Sequence, residues 1–230
     1  MEHKNILRGV KQIYTSEKLS LISGFCLLFG SITVLISNIN ENIPIGVAGL
    51  ILILASGVLN VVAFCYNYRG IKTARSEQPL FSKALLWLFA GIACSVLSVV
   101  LKNINATISS FLTTVSEFTD VLVTYFILSA LIALAQEQQN TSLKSKGTAA
   151  MRLIIIVQML SFLLSLLAAL FETFGWGETA NGLLAMGIIN IVSELMRIVA
   201  FILYLNTLSG TIKMLEQEQP TENISETTES

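Results

Sequence analysis

PIGVAGLILILASGVLNVVAFCYNY, from Pro44 to Tyr68, runs for 25 residues without a charged side chain, between Glu41 and Arg69. A helix rises about 1.5 Å per residue, so crossing a hydrocarbon core of about 30 Å takes about 20 mostly apolar residues. This stretch is long enough to do so, and Pro44 suits the first turn of a helix because its missing N–H would be unsatisfied there anyway.

Five further stretches extend the pattern in both directions. Leu19 to Ser37 lies between Lys18 and Glu41, Ala84 to Leu101 between Lys83 and Lys102, and Leu153 to Phe171 between Arg152 and Glu172. Two longer ones, about Ser109 to Gln136 and Gly182 to Leu208, carry charge inside them. The composition agrees: 13% of the 230 residues are charged, against roughly 25% in soluble domains. The predicted fold is therefore all-α, an integral membrane bundle of six transmembrane helices. Lys4, Arg8 and Lys11 precede the first span as they would in a secretory signal, but no small-residue cleavage pattern closes the stretch, so it reads as a retained helix. Residues 1–17 form a cytoplasmic amphipathic segment, 18–208 the transmembrane domain and 209–230 an acidic tail.

Lys and Arg alternate strongly between the connections. Four precede the first span, four lie between Arg69 and Lys83, three are Lys144, Lys146 and Arg152, and one is Lys213. Lys102 alone falls on the other side, and Arg197 lies within a span. Basic residues are retained in the cytoplasm, so both termini are expected there. No connection is long enough to fold as a domain, so function is expected in the bundle or its rim.

Ile6, Leu7, Val10, Ile13 and Tyr14 fall at helical spacing with Lys4, Arg8 and Lys11 on the other face, the pattern of an in-plane amphipathic helix. The segment Arg8-Gly9-Val10-Lys11 recurs as Arg69-Gly70-Ile71-Lys72, with an echo in Gly210-Thr211-Ile212-Lys213. Three repeated hairpins would produce these echoes; chance likeness in low-complexity apolar sequence is the rival explanation. The tail from Leu215 to Ser230 holds five glutamates and no base, a composition expected to remain disordered.

Catalytic signatures are absent. His3 is the single histidine, and the chain has no H-E-x-x-H, P-loop or nucleophile-elbow motif. Cys26, Cys65 and Cys94 lie singly in apolar runs, without zinc or disulfide spacing. No enzyme, cofactor, metal or nucleic-acid partner is predicted. The expected partners are the lipid bilayer and another membrane protein or a second copy.

Polarity inside the spans is what remains. Small or polar faces are predicted at Ser20, Gly24 and Ser31, at Ser56, Asn60 and Asn67, at Gly91, Cys94, Ser95 and Ser98, and at Gln158, Ser161 and Ser165. Such faces let helices approach and hydrogen-bond in lipid. Thr113, Glu117, Asp120 and Thr124 share one face of the fourth helix, and Asn190, Ser193, Glu194 and Arg197 one face of the sixth. A charge at the bilayer centre costs on the order of 3 kcal/mol on the insertion scale, so these groups should face one another or water. The candidate polar cluster is thus Glu117, Asp120, Glu194, Arg197, Asn190 and Asn60. One expectation is an ion-pair clasp in a structural or partner-binding protein. The alternative is a small proton- or cation-coupled transporter, because three acids face one base and leave a carboxyl to spare. The inner halves of these two helices, Val121 to Ala135 and Ile198 to Leu205, carry Thr124, Ser129 and Tyr204 among apolar residues, which favours the first.

The opening, I-L-R-G-V-K-Q-I-Y-T-S-E-K-L-S-L-I-S from Ile6 to Ser23, resembles uncharacterised polytopic membrane proteins of Gram-positive anaerobic bacteria. That resemblance implies a bacterial membrane location and no catalytic residues.

The charge pattern makes a testable topology. Reporter fusions after Asn40, Ala106 and Glu178 are expected to read the outer side, and fusions after Glu77, Gln139 and Ser230 the cytoplasm. External labelling of a cysteine placed beside Lys144 would reverse the assignment.

Overall fold

The computed structural model describes residues 4–40, 43–173 and 180–217 as six helices. In chain order these are α1 (Lys4–Asn40), α2 (Ile43–Ala74), α3 (Leu80–Leu101), α4 (Ala106–Glu137), α5 (Thr141–Thr173) and α6 (Ala180–Gln217). Five described stretches are long and apolar enough to cross a membrane: Lys4–Ser37, Ile43–Ala74, Leu80–Leu101, Phe111–Glu137 and Leu195–Gln217. Their apolar side chains point largely outward, with Leu54 71% and Val99 74% exposed. Apolar surface on this scale needs a hydrocarbon solvent or a partner to cover it.

The helix ends follow from local chemistry. Asn105 caps α4, its side-chain oxygen accepting from the Ile108 amide at 3.1 Å. The same α4 closes in a Schellman arrangement: Gln139 takes φ 53°, its amide donates to the Gln136 carbonyl, and the Asn140 amide reaches back to Ala135 at 2.8 Å. Asn140 then accepts from the Leu143 amide at 3.0 Å and starts α5.

The chain forms two compact units: residues up to Leu85 with the end of α6 from Ile212, and Leu86 to Thr211. In the first, α1 and α2 pair antiparallel along a seam of small residues that recurs every seven positions. On α1 these are Gly9, Ser16, Ser23, Gly30 and Ser37, and on α2 Gly49, Ser56, Ala63 and Gly70, all buried. They meet in register. Gly9 faces Gly70, the Ser16 hydroxyl donates to the Ala63 carbonyl at 2.7 Å, Ser23 donates to the Ser56 carbonyl at 2.9 Å, and Gly30 faces Gly49. A strict repeat of seven keeps one stripe toward the partner helix when the pair supercoils.

At the glycine crossings the two backbones touch. A Cβ on Gly9 would stand 2.6 Å from the Gly70 carbonyl oxygen, and one on Gly49 would stand 2.8 Å from that of Gly30. The repeated Arg-Gly-x-Lys segments are therefore spatial partners: their glycines oppose each other, with Ile13 against Gly70 and Ala74 against Gly9 in mirrored positions one turn on. Ile6, Leu7, Val10 and Ile13, the apolar face of the N-terminal amphipathic segment, are buried, and the segment continues into the first span as a single helix. The face expected on α1 differs from the one used, whereas of the face expected on α2 Ser56 lies on the seam. Ser20 is half-buried and Ser31 exposed, Gly24 has open space around it, and Asn60 is exposed, because a supercoiled pair selects every seventh residue.

In the second unit the core is built from Val123, Ile127, Leu128, Leu131 and Leu134 of α4, Leu143 and Ala150 of α5, and Ala200, Tyr204 and Leu208 of α6. Close approach again falls at glycines. A Cβ on Gly147 would meet Ile132 at 2.8 Å and Thr207 at 3.3 Å, and one on Gly210 would meet Leu143 at 2.7 Å.

Gly30→Ala and Gly9→Ala put a methyl against fixed backbone and are expected to destabilise the detergent-solubilised protein by about 1–3 kcal/mol, the usual cost of overpacking. Gly24→Ala, with nothing within 4 Å of its Cβ, is the control and should leave the melting temperature nearly unchanged. Equal effects at all three positions would argue against the seam.

Candidate functional site

The second unit holds the polar groups that the sequence singled out on α3 and α4. Between α3 and α4 they form a ladder of hydroxyls. The Ser95 and Ser116 oxygens lie 2.6 Å apart, and Ser116 also donates to the Gly91 carbonyl at 3.2 Å. One turn further along α3, the Ser98 hydroxyl is 2.7 Å from that of Thr113 and 3.2 Å from that of Ser109, while Ser109 donates to the Ser98 carbonyl at 2.9 Å. Thr119 packs on Gly91. Gly91, Ser95 and Ser98 on α3 and Ser109, Thr113 and Ser116 on α4 each step by four and then three residues, so two short polar stripes oppose each other.

Of the predicted faces, that of α3 holds at Gly91, Ser95 and Ser98. On α4 the face turned to α3 is Ser109, Thr113, Ser116 and Thr119, of which only Thr113 was expected. The missed signal is complementarity: Ser95 and Ser98 are three residues apart, as are Thr113 and Ser116, with which they pair when the two stretches run in opposite directions.

Glu117 and Asp120 stand next to this ladder, one turn apart on α4, and both side chains are exposed. Asp120 sits at its edge, with Oδ1 3.7 Å from where a Cβ on Gly91 would be. Phe118, between the two acids in sequence, is 52% exposed. Thr124, expected on the acidic face, donates to the Asp120 carbonyl at 3.1 Å. Below them an apolar groove of about 260 Å³ opens between α4 and α5, lined by residues such as Phe118, Leu122, Tyr125, Met151, Ile155 and Met159.

The remaining members of the predicted cluster are distributed as follows. Arg197 is on α6 and exposed, and it has an interaction of its own. Asn190, Ser193 and Glu194 on α6, and Ser161 and Ser165 on α5, lie outside the residues whose side chains are described. Asn60 belongs to α2 in the first unit. Of the acidic tail expected over 209–230, residues 209–217 are instead part of α6, with Met214 and Leu215 buried, and those beyond Gln217 lie outside the described residues. The structure thus brings Glu117 and Asp120 together on one helix face. Among the described residues no three His, Cys, Asp or Glu side chains gather into a metal-binding group.

Comparison with protein-family models, with curated proteins and with solved structures finds no match to this chain.

The hydroxyl ladder has a measurable worth. Interhelical side-chain hydrogen bonds in membrane proteins average about 0.6 kcal/mol and reach about 1.7 kcal/mol. Ser98 bonds to both Ser109 and Thr113, so Ser98→Ala should fall toward the upper end of that range, and Ser98→Ala with Thr113→Ala should cost less than the sum of the single changes. Additive losses in thermal unfolding would show that the two hydroxyls do not cooperate.

Proposed function

We propose that the chain is a non-enzymatic, multi-pass membrane protein of six spans with both termini in the cytoplasm, acting as a partner-binding or structural component of the membrane. Five helices of sufficient length and apolarity support this, together with the run Leu153 to Phe171 inside the 33-residue α5 as the sixth span. The twelve-to-one partition of Lys and Arg supports the orientation.

The observation that carries the partner-binding role is the exposed pair Glu117 and Asp120 beside Phe118 on the outer face of α4. Carboxylates facing hydrocarbon would be costly, whereas a neighbouring helix offering a base or hydroxyls would satisfy them, and Phe118 would supply contact area. Ion transport finds less support. It needs a hydrated route through the inner half of α4, but there the Ser129 hydroxyl donates to the Tyr125 carbonyl at 2.8 Å and Ile127, Leu128 and Leu131 are buried core.

A cysteine at Phe118, in a chain with Cys26, Cys65 and Cys94 changed to serine, is expected to cross-link to a neighbouring membrane protein or a second copy in native membranes. Glu117→Gln with Asp120→Asn should reduce that cross-linking severalfold and leave the folded yield intact. Proton-driven flux in proteoliposomes that disappears in the same double variant would overturn the partner-binding role in favour of a carrier.

A further inference from the structure

The first turns of α1 bury their apolar residues and present their bases outward. Lys4, Arg8 and Lys11 recur at helical spacing and, with Leu7, Gln12 and Thr15, line an open groove of about 350 Å³. Two carboxylates of the chain already lie on this stretch. Glu77 accepts from the Asn5 and Ile6 amides at 3.1 and 3.2 Å, closing the helix N-terminus, and Glu216 pairs with the Lys11 ammonium at 2.7 Å. Lys4 and Arg8, both exposed, have no ion-pair partner among the described residues.

The path of the chain points to what covers them. The preceding Leu215 is buried, so the end of α6 is anchored where Glu216 meets Lys11, and α6 ends one residue later at Gln217. The chain therefore continues from the edge of the groove. Residues 218–230 hold Glu218, Glu222, Glu226 and Glu229 with no Lys or Arg. Lys4 lies two turns from Lys11, about 10 Å along the helix at 1.5 Å per residue. Thirteen extended residues reach about 40 Å, so length does not limit the contact. Attachment beside the groove also keeps the segment at an effective concentration in the millimolar range.

We propose that this basic groove is the docking surface for the chain's own acidic C-terminal segment, residues 218–230, held in cis by Lys4 and Arg8 beside the Lys11–Glu216 pair. Occupied in this way, the bases are screened from anionic lipid headgroups and from acidic partners, and they become available when the segment is displaced. The contact is between exposed charges, so it weakens as the Debye length shortens from about 8 Å at physiological salt to about 3 Å at 1 M.

The test uses the full chain in nanodiscs of neutral phosphatidylcholine and a carbodiimide, which joins a carboxylate to a lysine amine in direct contact. The Lys11–Glu216 link is the internal control. Docking predicts a second link from Lys4 to Glu218 or Glu222, lost when the four tail glutamates are changed to glutamine and reduced severalfold by Arg8→Gln with the control link retained. Absence of any tail link while the control forms would overturn the proposal. Tail links found only between copies, in a mixture of isotopically light and heavy protein, would overturn docking in cis. Lys4 that stays unlinked in neutral discs, yet is shielded from amine acetylation when phosphatidylglycerol is added, would assign the groove to lipid headgroups instead.

Discussion

Backbone contact between α1 and α2 is the constraint on which the first unit depends. Two helices whose crossing glycines would place a Cβ 2.6 to 2.9 Å from the facing carbonyl oxygen have no freedom to rotate or slide past each other. The serines between the crossings complete the lock by donating to carbonyls of the opposite helix, at Ala63 and Ser56. In a hydrocarbon solvent an apolar side chain gains little by leaving lipid for protein, so close packing and hydrogen bonds carry the association. This accounts for a pair that buries glycine, serine and alanine along its seam while leucine, valine and phenylalanine face outward.

The second unit uses the same materials with a different balance. Its α3–α4 contact rests on paired hydroxyls and one glycine, whereas Ile127, Leu128 and Leu131 of α4 belong to a buried apolar core. Glu117 and Asp120 stand beside the hydroxyl ladder and are exposed on α4.

Much of the architecture was legible in the sequence, because charge is costly within a span and gathers at its ends. Lys18, Arg69, Lys83 and Lys102 bracket apolar runs whose cores coincide with α1, α2 and α3. Contact faces were harder to read. A search at spacings of three and four picks Ser20, Gly24 and Ser31 on α1, but supercoiling moves the contact to Gly9, Ser16, Ser23 and Gly30. The likeness of Arg8-Gly9-Val10-Lys11 to Arg69-Gly70-Ile71-Lys72 was visible as an internal echo, while the fact that the two glycines meet requires the third dimension. The acidic face of α4 was legible as a face because residues 117 and 120 are one turn apart. Its neighbours were not, since Ser109 and Ser116 become partners of Ser98 and Ser95 only once α3 and α4 run antiparallel.

The Lys11–Glu216 pair joins the beginning of the first helix to the end of the last. A ribosome delivers these residues at opposite ends of synthesis, and domains generally fold as their sequence emerges. The α1–α2 seam can zip while the remaining spans are still being made, and Glu77 can seat on the opening turn of α1 as soon as the following connection is out. Closure of the first unit by α6 must wait for nearly the whole chain. The paired hairpin can therefore form before Glu216 has been made to meet Lys11, so this ion pair is among the last contacts the first unit gains.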